Sequence, residues 1–291
     1  MIKKKLLQRI LPVLLLTLLA HNKCFSQSYK IFYEMQWKNK SGATSHHELC
    51  SLITSEKGNS YFQSYENFRR DSAHTSMVNE YFANKAKGLR IGDGITDAKF
   101  RSLIIKNISQ NTITLEERFF TSIFSVVYAS CKQNWKLIDD KTSVILGYKA
   151  YMASTEFGGR KWIAWYTKEI PISDGPYKFY GLPGLILKIT DSDGVYTFEI
   201  KGIHKENNDL EKRNFTYDQP MNISPKQWDS FWKKYIKQPS VIFENLNTSH
   251  TTYVINGKDV NSKEVKESYN RKEWEILKNF ESPIELIPSC L

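Results

Sequence analysis

The chain has 291 residues with a formal net charge of +10, and 13% of its residues are aromatic. Five basic residues, Lys3, Lys4, Lys5, Arg9 and Lys23, lie in the first 26 positions, so half of the net charge belongs to that segment. The mildly basic remainder has charges of both signs interspersed, which excludes a nucleic-acid-binding surface. With four cysteines in the whole chain, burial of aromatic and aliphatic side chains must supply most of the stability.

The first 26 residues predict a cleavable secretory signal peptide. The basic residues precede an apolar run from Ile10 to Ala20, and Cys24 and Ser26 supply small residues before Gln27. The apolar run is shorter than the roughly 20 residues that a membrane-spanning helix needs. Bulky residues before Cys24 argue against lipid attachment. We therefore expect an exported product without a membrane span, located in the periplasm, at the cell surface or outside the cell.

Removal of the signal peptide leaves three cysteines, Cys50, Cys131 and Cys290. An oxidising compartment permits one disulfide and one free thiol. Their positions do not decide which two pair, and none has the spacing of a zinc site.

Alternation of apolar and polar residues predicts strands over the first two thirds of the chain. In the first strand Tyr33, Met35 and Trp37 share one face. Further strands are predicted over 49–54, 60–65, 77–83, 100–106 and 112–116, with hairpin connections at 107–111 and 191–194. Short strands at this spacing predict a mainly β fold, in which an antiparallel meander curls into a partly closed or barrel-like sheet.

The last part of the chain predicts helices. Ser224 and Gln227 have the spacing of a capping box, which predicts a helix over about 225–237. Aromatic and aliphatic residues recur on one face of it, which indicates core packing: Trp228, Phe231, Trp232, Tyr235 and Ile236. Asn261 and Glu264 predict the start of a second helix over about 262–278. We expect a β domain over 27–204 and a helical segment over 205–291 that packs on it.

Residues 158–187 carry the densest pattern, a strand followed by two breaks that contain glycine and proline. Trp162 and Tyr166 share one face of the strand, and Trp165 lies on the other. The sequence from Leu182 to Leu185 is typical of a type II turn, in which Gly184 takes a positive φ.

This pattern resembles the GLPGLI family of exported proteins from Bacteroidetes-type bacteria, whose name is the sequence at 181–186. Further family features stand here as Gly147-Tyr148, Gly159-Arg160-Lys161-Trp162, Trp165-Tyr166-Thr167, Ile170-Pro171 and Gly175-Pro176. The ending at 283–286 also resembles that of the family. Ala150 is a departure, since similar proteins often have a cysteine there. The resemblance implies export and genes for outer-membrane receptors and peptidases nearby, but no activity, cofactor or catalytic residue.

We interpret most motif residues as structural and a few as a binding site. The structural set is Gly159, Trp162, Pro171, Gly175, Pro176, Gly181, Leu182, Pro183, Gly184, Leu185 and Ile186. The candidate binding residues lie near the glycine and proline breaks and combine aromatic rings with cations, as a ligand site requires: Arg160, Trp165, Tyr166 and Lys178.

Other polar clusters favour ordinary structural roles. His46, His47 and Glu48 lie in a strand pattern that turns neighbours to opposite faces, which disfavours a metal site. Asp191–Gly194 lacks the downstream glutamate of a calcium loop, so we interpret it as a hairpin turn. We expect no metal and no cofactor.

These observations favour an exported, non-enzymatic binding or accessory protein of the cell envelope, with an outer-membrane receptor or another envelope protein as its partner. One alternative is a barrel-like carrier of an apolar or sugar ligand. The other is an envelope hydrolase of peptides or glycans that uses acids such as Glu156 or Glu169.

Overall fold

A computed structural model describes residues 28–40, 42, 44–55, 58–70, 72–73, 83, 98–119, 122–129, 132–206, 220–244, 253–255, 258–287 and 290. The predicted signal peptide, residues 77–82 of a predicted strand, and Cys131 lie outside the described residues.

Twelve of the described strands form one sheet. They are β1 (Ser28–Lys38), β2 (Ser45–Thr54), β3 (Asn59–Ser64), β4 (Leu103–Asn107), β5 (Thr112–Phe119), β6 (Ser122–Ala129), β7 (Lys136–Ile145), β8 (Tyr148–Phe157), β9 (Arg160–Thr167), β10 (Leu185–Asp191), β11 (Tyr196–Glu206) and β12 (Met221–Ile223). Their spatial order is β12-β6-β5-β4-β3-β2-β1-β11-β10-β9-β8-β7. Two short strands, β13 (Tyr253–Ile255) and β14 (Lys258–Val260), pair separately.

The predicted mainly β fold with helices near the end of the chain is confirmed. Neighbouring strands of the sheet run antiparallel, except that β12 pairs with β6 in parallel. The sheet is open, because β12 and β7 lie at its two ends and do not pair with each other.

Local sequence signals placed the helices and the hairpins correctly. Helix α1 (Pro225–Tyr235) has Ser224 as its N-cap with a complete capping box to Gln227. Helix α2 (Ser262–Lys278) begins after Asn261, whose side chain accepts from the Glu264 backbone N–H. A 3-10 helix (Pro239–Phe243) follows α1. Both predicted hairpin connections are observed, since β4 pairs with β5 and β10 with β11.

One face of the sheet, which we call the inner face, carries most of the core. It presents Tyr33, Trp37 and Trp162, which are fully buried. These side chains meet segments from elsewhere in the chain: the Tyr33 hydroxyl donates to the Ile186 carbonyl at 2.7 Å, and Trp37 Nε1 donates to the Asn279 carbonyl at 2.6 Å. The outer face alternates with it and carries cross-strand ion pairs such as Lys188–Glu199 at 3.2 Å.

The aromatic face of α1 packs on the inner face but is not fully buried. The Phe119 ring lies 4.5 Å from that of Tyr235 and 5.2 Å from that of Phe231, between ring centroids. Tyr235 is buried, whereas Trp228 and Trp232 are half-buried. Ile236 lies beyond the last residue of the helix and is 44% exposed, so the prediction that it shares the packed face was wrong.

Strand β7 is an edge strand, which among the described strands pairs only with β8. Its pairing register jumps between Ile138 and Thr142, so three residues bulge out of the ladder. Among them Asp140 and Lys141 are exposed to solvent.

The cysteines differ in state. Cys50 is a free, buried thiol, and Cys290 is disulfide-bonded. The structure therefore removes Cys50 from the pairing alternatives that the sequence left open.

Candidate functional site

The segment between β9 and β10, residues 168–184, folds back onto the inner face, and we call it the motif loop. Its residues 174–180 are all buried. A buried loop needs partners for its backbone polar groups, because water cannot reach them. Side chains from two other parts of the chain supply those partners.

Lys106 on β4 holds the first part of the loop. Its ammonium donates to the Gly175 carbonyl at 2.5 Å and to the Phe179 carbonyl at 3.4 Å, and it forms an ion pair with Asp174. Both charged side chains are 1% exposed. Burial lowers the pKa of Lys106, and the neighbouring Asp174 carboxylate opposes that shift. The three donors of the ammonium thus find three acceptors inside the protein.

Gln133 and Trp135 hold the second part of the loop. The Gln133 amide donates to the Lys178 carbonyl and accepts from the Tyr180 N–H, each at 3.0 Å. Trp135 Nε1 donates to the Tyr180 carbonyl at 2.7 Å. Between these contacts Phe179 is fully buried, and its ring contacts four aromatic neighbours: Trp135, Phe157, Trp162 and Tyr177.

Gly184 ends the loop in a position that no other residue fits. Its φ is +145°, and a Cβ placed there would lie 1.9 Å from the Thr167 carbonyl oxygen. The predicted positive φ is confirmed, but the predicted type II turn is wrong. The Gly184 N–H bonds to the Leu182 carbonyl at 2.8 Å, and the Leu185 N–H bonds to Ile170 instead of closing the turn. Pairing with Ile170 ties the loop exit to the loop entrance.

A second segment, residues 282–287, crosses the rim of the inner face, and we call it the anchor segment. The Arg160 guanidinium donates to the carbonyls of Ile284 and Pro283 at 3.1 and 2.9 Å, and to Ser282 Oγ at 2.8 Å. It also forms an ion pair with Asp191 at 2.8 Å. The guanidinium is planar, so one side chain can address several acceptors at once.

Lys178 and Tyr177 of the motif loop meet the anchor segment at Glu285. The Lys178 ammonium lies 2.6 Å from the Glu285 carboxylate, and the Tyr177 hydroxyl donates to the same oxygen at 2.5 Å. Burial and the Glu285 charge together raise the pKa of Tyr177 well above its usual value, so the phenol stays a donor. The motif loop and the anchor segment are therefore one interlocked unit.

The structure separates the four candidate binding residues. Arg160 and Lys178 are buried in the ion pairs described above, and Tyr166 lies on the inner face with 1% exposure. Trp165 points to the outer face and is half-buried. The sequence thus pointed to both cations of the anchor contact. Their acceptors in the anchor segment lie beyond any local signal, 122 to 124 residues from Arg160 and, for Lys178, at Glu285.

A second polar cluster on the inner face was missed from the sequence. Arg101 forms an ion pair with Glu273 of α2 at 2.7 Å, and its charge also acts on the buried Glu117 of β5. The Tyr235 hydroxyl donates to Glu273 at 2.6 Å. Burial raises the pKa of Glu117 from 4.5, Arg101 opposes the shift and Glu273 adds to it. No spacing rule links these residues, since 172 positions separate Arg101 from Glu273.

The acids and histidines singled out from the sequence do not converge. Glu156 and Glu169 both lie on exposed positions, and Glu169 accepts from the Lys149 N–H at 2.8 Å. Residues 149 and 156 are seven apart on β8, which is about 23 Å along a strand. The His46 ring stacks on Trp37 at 5.2 Å, while Glu48 accepts from the Phe100 N–H at 2.8 Å. Within the described part of the chain, no group of three or more metal-ligating side chains occurs.

Comparison with known proteins gives one family match. Residues 154–188, which hold β9, the motif loop and the start of β10, match the family described as "Protein of unknown function (Porph_ging)". The match covers a small part of the chain. No curated protein matches.

Several solved structures resemble the fold at low identity. A structure of PNGF-II is 19% identical with a TM-score of 0.49, and the match covers 71% of this chain. This chain spans only 33% of PNGF-II. A LolA superfamily protein from Nitrosomonas europaea is 10% identical with a TM-score of 0.27, covering 66% of this chain and 91% of that one. MucB in complex with MucA is 7% identical with a TM-score of 0.26, covering 64% and 52%.

No helix among the described residues has the length and apolar character needed to cross a membrane.

Proposed function

We propose that this chain is an exported, non-enzymatic binding or accessory protein of the cell envelope and a member of the GLPGLI family. The observation that carries the proposal is that buried residues of the motif have a structural role. Three of its charged side chains, Arg160, Asp174 and Lys178, are engaged in buried ion pairs that fix the motif loop and the anchor segment. Because these contacts hold the segment in one position, it forms a rigid platform. Strand β9 within this segment places a different side chain, Trp165, on the outer face.

The outer surface around Trp165 is the binding surface of this proposal. Trp165 lies opposite Met152 on β8 and opposite Lys188 on β10. Lys188 pairs in turn with Glu199 on β11. A tryptophan flanked by methionine and by charged residues has the composition of an interaction hot spot with a polar rim. The partner we propose is an outer-membrane receptor or another envelope protein, as the family resemblance implies.

The family assignment is supported by two independent features. The name motif at 181–186 lies inside the matched region 154–188. The ending at 283–286, which resembles that of the family, contacts the same region through Arg160 and Lys178. Two sequence features that lie about a hundred residues apart therefore form one structural unit.

The carrier alternative fits the inner face less well. Phe179 and its aromatic neighbours fill the space over β8 and β9 with the chain's own side chains. A carried ligand would have to displace the motif loop and break its buried ion pair with Lys106.

The hydrolase alternative is favoured by one observation, the two acids beside Arg101. Glu117 has a raised pKa, as a general acid requires, and Glu273 accepts from Arg101 and Tyr235. This candidate predicts hydrolysis of an envelope peptide or glycan that Glu117→Gln abolishes. Retention of such activity by the variant would exclude Glu117 from the chemistry.

The proposal is tested by crosslinking and capture from the native envelope with matched tryptophan variants. Trp165→Ala should weaken recovery of the specific envelope partner by about tenfold or more, as expected for a hot-spot residue. Trp274→Ala is the control, because Trp274 is 41% exposed on α2 and outside the proposed surface. Equal recovery with both variants, at unchanged melting temperatures, would contradict the proposed surface.

A further inference from the structure

Beyond the outer surface, the rim that holds the anchor segment has the chemistry of a peptide-binding groove. We propose that the Gly158–Gly159 turn, Arg160, Lys178 and Tyr196 form a site for a peptide with glutamate two residues after proline. The anchor segment is its resident ligand. A second copy of the chain carries the same segment and can supply it in trans. This inference does not rest on the surface around Trp165.

The groove recognises the backbone of its ligand at several successive residues. Tyr196 donates its hydroxyl proton to the Ser282 carbonyl at 2.6 Å, and Arg160 donates to the next two carbonyls. The Leu286 N–H then donates to the Gly158 carbonyl at 2.7 Å. The Ile287 N–H donates to the same carbonyl at 3.4 Å. Five backbone groups of an irregular segment thus find partners on the groove, as in the capture of a peptide by a binding protein.

Glycine makes the close approach at the turn possible. A Cβ on Gly158 would lie 2.8 Å from Glu285 Cγ and 3.0 Å from Glu285 Cα. Gly147, in the neighbouring hairpin turn, has a similar positive φ but no atom within 4 Å of such a Cβ. Comparison of Gly158→Ala with Gly147→Ala therefore distinguishes a steric clash with the ligand from the backbone strain of a positive φ.

Side-chain specificity comes from Lys178. Its side chain is 7% exposed, and the anion beside it is Glu285. The rings of Tyr128 and Tyr177 lie 4.9 and 5.5 Å from its ammonium. A buried cation without its carboxylate is unfavourable, so the groove exchanges one acidic ligand for another and does not stand empty.

The disulfide at Cys290 keeps the resident segment in place. Cys290 lies three residues after Ile287, so its crosslink attaches the anchor segment to the protein at a second point. This attachment raises the effective concentration of the segment at the groove. Loss of that crosslink makes a ligand from outside competitive.

The test uses the full chain and a fluorescent peptide of residues 282–287. In the variant Glu285→Lys with Cys290→Ser, the new cation faces Lys178 and the crosslink is absent, so the resident segment is weakened. We expect the peptide to bind this variant at least tenfold more tightly than it binds wild type, and to raise the melting temperature of the variant only. A peptide with lysine in place of glutamate is the control and should not bind.

A mixing experiment identifies the source of the ligand. A Gly158→Ala chain has an intact anchor segment and a blocked groove. The double variant has a weakened anchor segment and an accessible groove. If a second copy supplies the ligand, the two form a one-to-one complex that neither forms alone, and Gly147→Ala does not replace Gly158→Ala in it. Peptide binding without this complex assigns the groove to a peptide of another protein.

The proposal is overturned if the folded double variant binds the glutamate peptide no better than the lysine peptide. Should the double variant fail to fold, Glu285→Gln with Cys290→Ser is measured in the same way. Equal affinity of that variant for both peptides has the same meaning.

Discussion

The two ends of the inner face are covered by different chemistry. Over β8 and β9, the motif loop and the anchor segment are held by buried ion pairs and by donors aimed at backbone carbonyls. Over β5 and β6, helix α1 is held mainly by ring contacts, in which Phe119 meets four aromatic side chains. Directional contacts fix a single arrangement, whereas ring packing tolerates small shifts. We therefore expect the first region to fail abruptly on substitution and the second by degrees.

The largest effect is expected at the exit of the motif loop. Gly184→Ala places a methyl group 1.9 Å from the Thr167 carbonyl, a separation that requires the backbone of β9 or of the loop to move. We expect little or no folded protein, measured as yield after export and by near-ultraviolet circular dichroism. Gly147 also has a positive φ, but a Cβ there would meet no atom within 4 Å. Gly147→Ala should therefore lower the free energy of unfolding by only about 1–2 kcal/mol. Similar yields for the two variants would contradict the abrupt failure that we expect of this region.

Graded behaviour is expected under α1. Phe119 is fully buried, so Phe119→Ala should lower the free energy of unfolding by about 3–5 kcal/mol. Trp232→Ala should cost roughly half of that, because Trp232 is half-buried. Urea unfolding of both variants measures the two values. A larger loss at Trp232 than at Phe119 would show that the helix face, and not the sheet residue beneath it, carries the packing energy.

The disulfide at Cys290 is expected to stabilise the first region by about 2–4 kcal/mol. Cys290→Ser should lower the melting temperature by the corresponding amount. Peptide mapping without reduction should identify Cys131 as the partner, since Cys50 is free and we expect Cys24 to be removed with the predicted signal peptide. Cys50 should react with thiol reagents only after unfolding, because burial keeps it covered and raises its pKa. Reaction of Cys50 in the native protein would contradict its placement in the core.

The smallest effect is a pH dependence beneath α1. Glu117 binds its proton more tightly in the folded protein than in the unfolded chain, because its folded pKa is raised from 4.5. Its contribution to stability is thus fully present below pH 4.5 and is lost as the pH rises through the folded pKa. Glu117→Gln keeps an acceptor for Ser102 Oγ and should flatten this decline in melting temperature. An unchanged pH profile would mean that Glu117 does not titrate in this range.

The sequence predicted what local patterns determine. The capping residues predicted where both helices begin, and alternation predicted the hairpin whose first strand, β10, ends at Asp191. It could not predict which segments cover the inner face, because their positions depend on contacts between residues far apart in the chain. Arg160 and Lys178 were singled out for their charge near the motif, but their partners at 282–285 follow only from the fold. The turn at Gly184 was misassigned because Leu185 bonds to Ile170, outside the four residues of the turn.

The bulge in β7 bears on how copies of this protein avoid one another. An open sheet exposes unpaired backbone groups at its two edges, and such edges recruit strands from other chains into aggregates. Here one edge is β12, which has only three residues, and the other is β7, whose ladder is broken after Ile138 by residues that include Asp140 and Lys141. Within the described residues, neither edge offers a long, uncharged run of backbone. A twelve-stranded sheet can thus stay open without recruiting strands from other copies of the chain.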